Sequence, residues 1–321
     1  MTRLALLLGI LLLFMAVPSL LRGTEIPARW RVRLGFLALT GMLASSAVLL
    51  AAVLLPEVLV ASSFQQLWMS CSQAFREILG RPVARAPSLV AGAALAIVLG
   101  RFAWAFALGI RESRRARIRW GEPRWRLAGG EPVYVLPVDR PEAYSVGSLR
   151  GHVVVSRGLL EALDEDERQA VLLHEQAHLR ARHQPMLIVG RAAHAALRPL
   201  WPAGAAMALI EQAMEESADE YAADWLGDPA VVASGLSKAA LAGLRSPVGA
   251  LSLGNGPDVP ARVRRLLAPP EVPAWVPGAC IAGAVLLVVM FALTQAIGGL
   301  ALVAAGHHLL PIGAAAYCST R

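Results

Sequence analysis

Of 321 residues 56% are hydrophobic and the mean hydropathy is +0.53, which excludes an ordinary soluble domain and leaves several membrane spans carrying one modest polar domain. The net charge of +7 comes almost wholly from arginine, since Lys238 is the only lysine, and in so apolar a chain basic excess records topology rather than nucleic-acid binding. Three cysteines are too few for a disulfide framework or a cysteine zinc site, and the Ala/Leu/Arg-rich usage fits a GC-rich bacterial genome.

Four apolar stretches have the length of a bilayer crossing: about Leu4–Leu21, Leu34–Pro56, Leu89–Ile110 and a stretch within Trp275–Ala305. The first follows Arg3, as a signal peptide would, but no small-x-small cleavage site follows it, so it reads as a retained span. Arginine placement orients the set. The loop after the first span holds Arg22, Arg29, Arg31 and Arg33, and seven arginines fall between Arg111 and Arg126. The longer loop Ala61–Ser88 holds only Arg76, Arg81 and Arg85. The N-terminus is therefore expected outside, with the segment from Arg111 to about Pro270 in the cytoplasm and a short tail returning outside. Trp120 and Trp125, interleaved in the basic run, suit contact with anionic headgroups. Arg101, inside the third span with no evident acidic partner, reads as snorkelling to the interface. Cys280 reads as packing, and Cys71 and Cys318 would share the outer side, where a bridge is conceivable.

The polar segment mixes strands with helices. Val133–Leu136 and His152–Val155 are short β-branched runs separated by Pro and Gly turns, and read as strands. Asp164 with Glu167 three residues later forms a capping box, predicting a helix that runs to Arg180. His174-Glu175-Gln176-Ala177-His178 falls in the middle of it. Residues four apart share a helix face, so both imidazoles can reach one metal ion while Glu175 stands beside it. Zinc takes neutral imidazole nitrogens, and a neighbouring carboxylate can accept a proton from the attacking water.

A third protein ligand is then required. His183 lies nine residues after His174, but a metzincin arrangement would place glycine where Ala181 stands and histidine where Gln184 stands. His183 therefore reads as a surface residue or as a neighbour of the ligands. The acidic stretch Met214–Asp224 is the better source, because Ala213, Ala218, Ala222 and Ala223 allow close helix approach. A glutamate there could be a ligand and an aspartate one turn later could orient a liganding histidine. Both Glu215/Asp219 and Glu220/Asp224 have this spacing, so spacing leaves the choice open.

The chain resembles the membrane gluzincin peptidases of families M56 and M48. Their shared pattern is matched by His174–His178, by Glu215-Glu216-Ser217-Ala218-Asp219 and by Gly227-Asp228-Pro229. Gly147–Leu160 resembles their edge-strand segment, and Arg262–Leu267 the close of their domain. The resemblance selects Glu215 as third ligand and Asp219 as its companion. Three spans before the peptidase domain and one after it are similar to the M56 β-lactam sensor-transducers, with M48 as second choice. Those sensors carry a penicillin-binding domain after the last span, and no counterpart of it is expected after the fourth span here. Gln184–Met214, where M48 enzymes insert spans between the zinc motifs, is interrupted by Arg191, Arg198, Pro199 and Pro202 and reads as buried helices.

The resemblance thus implies an α+β zincin-type (gluzincin) peptidase domain inserted among about four transmembrane helices, mainly α overall. Residues 1–110 would hold three spans, 111–270 the cytoplasmic peptidase and 271–321 the fourth span with its outer tail. One zinc per chain would be held by His174, His178 and Glu215, with Glu175 as general base and Asp219 bonded to a liganding imidazole. A protein or peptide substrate, by resemblance a cytoplasmic repressor, would pair as an added strand against the His152–Ser156 edge. His194, Tyr144 and Tyr221 are candidate oxyanion donors. Three rivals stand beside this: an intramembrane protease, which the flanking charges disfavour, an M48-type quality-control protease, and a membrane scaffold without catalysis.

Overall fold

The computed structural model describes residues 2–22, 26–68, 86–116, 123–127, 130–147, 151–198, 200–241 and 259–309. Among the described residues three helices come first: α1 (Thr2–Leu21), α2 (Ala28–Trp68) and α3 (Ala86–Ala116). Four strands follow, β1 (Trp125–Arg126), β2 (Pro132–Leu136), β3 (Ala143–Val146) and β4 (His152–Ser156). The remaining described elements are helices: α4 (Arg157–Ala162), α5 (Glu165–Arg180), α6 (His183–Ala196), α7 (Trp201–Leu226), α8 (Pro229–Leu241), α9 (Val259–Leu267) and α10 (Val276–Leu309).

Among the described residues three helical stretches are long and apolar enough to cross a membrane: Ala28–Val53, Leu89–Arg115 and Val276–Thr294. Helix α1 has 20 residues, with an apolar run over Ala5–Leu21, and packs on α2, with Phe14 fully buried against Gly41. A methyl group at Gly41 would lie 2.3 Å from the Phe14 ring, so glycine is what allows the two helices this approach. On α3 and α10, Leu89, Ile97, Trp104, Ile281, Val285 and Val288 are exposed, an apolar surface suited to lipid. Cys71 and Cys318 lie outside the described residues.

Two large hydrophobic cores hold the described residues together. One joins the apolar helices to the α6–α7 hairpin through Phe14, Leu39, Met42, Leu187, Met207 and Ile210. The other lies beneath the sheet and gathers Val133, Val153, Val155, Val171, Leu236 and Leu266. Helix α7 belongs to both, with Ala203–Met214 in the first core and Ala222 and Ala223 in the second. The segment Gln184–Met214 is therefore a pair of buried helices, as its interrupted hydropathy indicates, but the helices are buried against the apolar spans. Gly190 of α6 touches Met207 and Leu39, and Gly35 of α2 touches Ile210.

The sheet order is β1-β2-β4-β3, with β2 and β4 parallel and the other pairs antiparallel. The strand His152–Ser156 is thus interior, paired with β2 on one side and β3 on the other. The expectation that it offers a free edge is corrected: β1 and β3 are the edges among the described strands. Its unbroken Val153-Val154-Val155 run is what a strand covered on both faces looks like, all three being buried.

Candidate metal centre

Helix α5 begins as its sequence dictates. Asp164 Oδ1 accepts from the Glu167 backbone N–H at 3.0 Å, and Glu167 Oε2 accepts from the Asp164 N–H at 3.1 Å. Ten residues on, His174, Glu175 and His178 are all buried, the first two with no exposed surface. Glu215 and Asp219 come from the middle of α7, where its two cores meet, and are buried as well. Helix α7 ends at Gly227, whose φ of 69° is left-handed and suits glycine, and Asp228 then caps α8 by accepting from the Ala230 N–H at 2.9 Å.

One potential ligand atom each from His174, His178 and Glu215 lies within 4.8 Å of the other two. The two Nε2 atoms are 3.1 Å apart, and Glu215 stands 3.6 Å from each through Oε2 to His174 and Oε1 to His178. Tetrahedral zinc with ligand bonds of about 2.05 Å would separate neighbouring ligand atoms by about 3.3 Å. The donor set and its spacing fit zinc.

Around the three lies a second layer of polar contacts. Asp219 Oδ1 is 2.9 Å from His174 Nδ1, which directs that N–H outward and leaves Nε2 for a metal. His178 Nδ1 is 2.7 Å from His183 Nδ1. His178 must keep its Nε2 lone pair to bind metal, so it donates from Nδ1 and His183 accepts. His183 is only 2% exposed and is therefore a buried neighbour of the site rather than a surface residue. Arg182, at φ 55° and ψ 41°, makes the turn that brings His183 back under His178, a left-handed conformation costing about 1–2 kcal/mol for a residue with a Cβ.

Arg262 was legible only as the close of the domain, yet it is a buried part of this site. Its Nε and Nη2 donate to the two carboxylate oxygens of Asp219, each at 2.7 Å, and its Nη1 lies 3.0 Å from Glu215 Oε2. With 1% of its surface exposed, it is a fully desolvated guanidinium matched to two carboxylates. The sequence signal was present, an arginine on a short amphipathic helix, but nothing in its spacing tied it to a motif 43 residues earlier. Glu131 was also missed: its Oε2 accepts from Gln176 Nε2 at 2.8 Å, tying the helix to the start of β2.

Electrostatics follow from this packing in the metal-free chain. Burial pulls the His174 pKa down, but hydrogen bonds and charge from Asp219 and Glu215 outweigh it and hold it at about 9. Burial and the charges of His174, His183 and Arg262 push His178 well below its ordinary value, and burial with the His174 charge lowers His183 to about 4. Burial would raise Asp219, but the charge and hydrogen bonds of Arg262, with those of His174, hold it below the usual carboxylate range.

The candidate oxyanion donors fall in different places. Tyr144 packs with Val146 and Val154 on one face of the sheet, while Val153 and Val155 join the core on the other. Burial and the Glu142 charge raise its pKa to about 12. His194 lies in the α6–α7 hairpin beside Gly204. Tyr221 is beside the zinc-motif helix, its hydroxyl 3.4 Å from Gln176 Oε1. It also borders a cavity of about 310 Å³ with Arg29, Arg33, Arg180 and His183.

Residues 128–269 match the family description "Peptidase family M48". Proteins named "Protease HtpX homolog" are similar over a short stretch. The one from Aquifex aeolicus is 44% identical over 52 residues, 16% of this chain and 17% of the relative. Those from Thermoplasma acidophilum and Desulforapulum autotrophicum are 47% and 42% identical, over 17% and 16% of this chain and 18% and 17% of their own lengths. The chain thus covers less than a fifth of these relatives. No solved structure matches it. The M56 resemblance, placed first on span count, is not supported. What the comparisons support is a likeness to peptidase family M48 over residues 128–269.

Proposed function

We propose that this chain is an integral-membrane zinc endopeptidase of the M48 type, acting in membrane-protein quality control. The observation that carries this reading is the convergence of His174, His178 and Glu215 from two helices at the ligand spacing of zinc. The M48 match over residues 128–269 and the protease names of the relatives support it. Cleavage of a cytoplasmic repressor in a signalling pathway has no such support, and the quality-control reading is preferred to it.

Zinc bound at this site would supply a Lewis acid for the scissile carbonyl and acidify a water molecule. The chain's own residues do the rest. Asp219 and His183 fix the outward N–H groups of His174 and His178 so that both Nε2 atoms face inward. Glu175 accepts the proton of the attacking water on its carboxylate and returns it to the leaving amine. Arg262 holds the Glu215 carboxylate in place from behind. In this reading residues 1–110 and 271–321 anchor the chain in a bacterial plasma membrane. Residues 111–270 form the peptidase on the cytoplasmic side, with the N-terminus outside. The substrate is a protein segment presented near the bilayer and added as a strand to an edge of the sheet, with β3 the suitable one.

The test uses the purified full chain in detergent micelles, with zinc content measured alongside cleavage of an unfolded protein. Wild type should bind one zinc and cleave, and Glu175→Gln should keep the zinc and lose cleavage. Equal behaviour of the two in every assay, including one in cells, would establish the non-catalytic scaffold instead.

A further inference from the structure

Helix α7 carries two consecutive glutamates with different neighbours. Glu215 faces the two imidazoles, while Glu216 faces the first turn of α2 and the helix α9. Adjacent residues on a helix are about 100° apart, so the two carboxylates report the rotation of one rod in two directions.

Glu216 is held from three sides. Arg31 Nη2 donates to its Oε2, Arg265 Nε lies 3.3 Å from the same oxygen, and Gln212 Nε2 donates to Oε1 at 2.8 Å. Arg31 is 6% exposed, and its Nε donates to the Ile26 carbonyl at 3.1 Å. In the sequence it is one of four arginines that set topology by lying in solvent. In the structure it is a buried charge at the start of the apolar stretch Ala28–Val53, set against the residue next to Glu215.

A buried guanidinium without its carboxylate is strongly unfavourable, so this pair resists separation. Any turn of α7 that withdraws Glu215 from the imidazoles must also pull Glu216 off Arg31. Arg262 and Arg265, on one face of α9, hold the same two carboxylates, so α7 is locked between α2 and α9. We propose that Arg31 is a positioning residue for the metal centre: through Glu216 it fixes the rotation of α7, and so links metal affinity to the packing of a membrane helix. This rests on the zinc-peptidase reading and adds to it a route from the bilayer to the site.

The experiment measures the zinc dissociation constant of the full chain in micelles, by competition with a chromophoric chelator, together with the unfolding midpoint. Arg31→Gln and Glu216→Gln should each weaken zinc binding about tenfold, the range of a lost supporting contact. The double variant should be no weaker than either, because both remove one coupling. Arg31→Lys, which keeps the charge but not the fork, should fall between. Should Arg31→Gln not fold, Glu216→Gln gives the same reading, since an amide keeps the shape and its bond to Gln212. Wild-type zinc affinity in the folded variants, with only a lower unfolding midpoint, would overturn the proposal and leave Arg31 a packing residue. A wild-type chain that binds no zinc would instead defeat the metallopeptidase reading itself.

Discussion

His183 Nδ1 lies 2.7 Å from His178 Nδ1, so an imidazole does here what a carboxylate or carbonyl commonly does for a liganding histidine. It accepts the outward N–H and sets the ring. Because it must be neutral to accept, its low pKa of about 4 suits the task. Replacement by leucine should weaken zinc binding about 10–100-fold, whereas His183→Asp, which also accepts, should stay within a few-fold of wild type. Chelator competition on the purified chain reads both. Equal affinity in the leucine variant would show that His183 does not orient His178.

Arg262 neutralises Asp219 and Glu215 in the interior, so its loss leaves two buried carboxylates facing each other. Arg262→Leu should destabilise the chain by about 3–5 kcal/mol, the cost of breaking a buried charge pair from one side. Arg262→Lys should recover only part of this, since one ammonium cannot span three oxygens. Denaturant unfolding in micelles is the measurement, and a Leu variant as stable as wild type would contradict the assignment.

Glu167 provides the pH dependence. Burial would raise its pKa, but Lys238, Ser234 and the Asp164 N–H together hold it below its ordinary 4.5. A carboxyl lowered on folding contributes stability above its unfolded value and loses it as pH falls through the folded one. Lys238 has the opposite sign: the Glu167 hydrogen bond raises it above 10.5, so its contribution is present below that value and lost as pH rises through the folded one. The packing of α8 on α5 should therefore weaken as pH drops below about 4.5. Lys238→Ala should show a smaller fall in unfolding midpoint between pH 6 and pH 3 than wild type. Parallel curves for the two would mean the pair does not contribute.

Local signals placed most of what the polar segment does. The Asp164/Glu167 capping box fixed the start of α5, the β-branched runs gave β2 and β4, and helical spacing put His174 and His178 on one face. The choice of Glu215 needed family resemblance, because Glu215/Asp219 and Glu220/Asp224 are spaced alike. Only packing separates them: Glu215 meets the imidazoles, and Glu220 pairs with Arg265. Strand order was not legible, since a buried valine run reads the same whether its strand is paired once or twice. Arg31, His183 and Arg262 were visible as residues but not as partners. Arg31 and Arg262 reach elements distant in sequence, His183 returns to His178 through the turn at Arg182, and each is an interior charge or polar group whose type alone suggested the surface.

Zinc K-edge X-ray absorption on the purified full chain tests the central claim most directly. The account predicts one zinc per chain with only nitrogen and oxygen neighbours at about 2.0–2.1 Å and scattering from two imidazoles, and a poorer, weaker-binding shell in Glu215→Ala. A shell containing sulfur, a single imidazole, or a Glu215→Ala spectrum and affinity unchanged from wild type would contradict it.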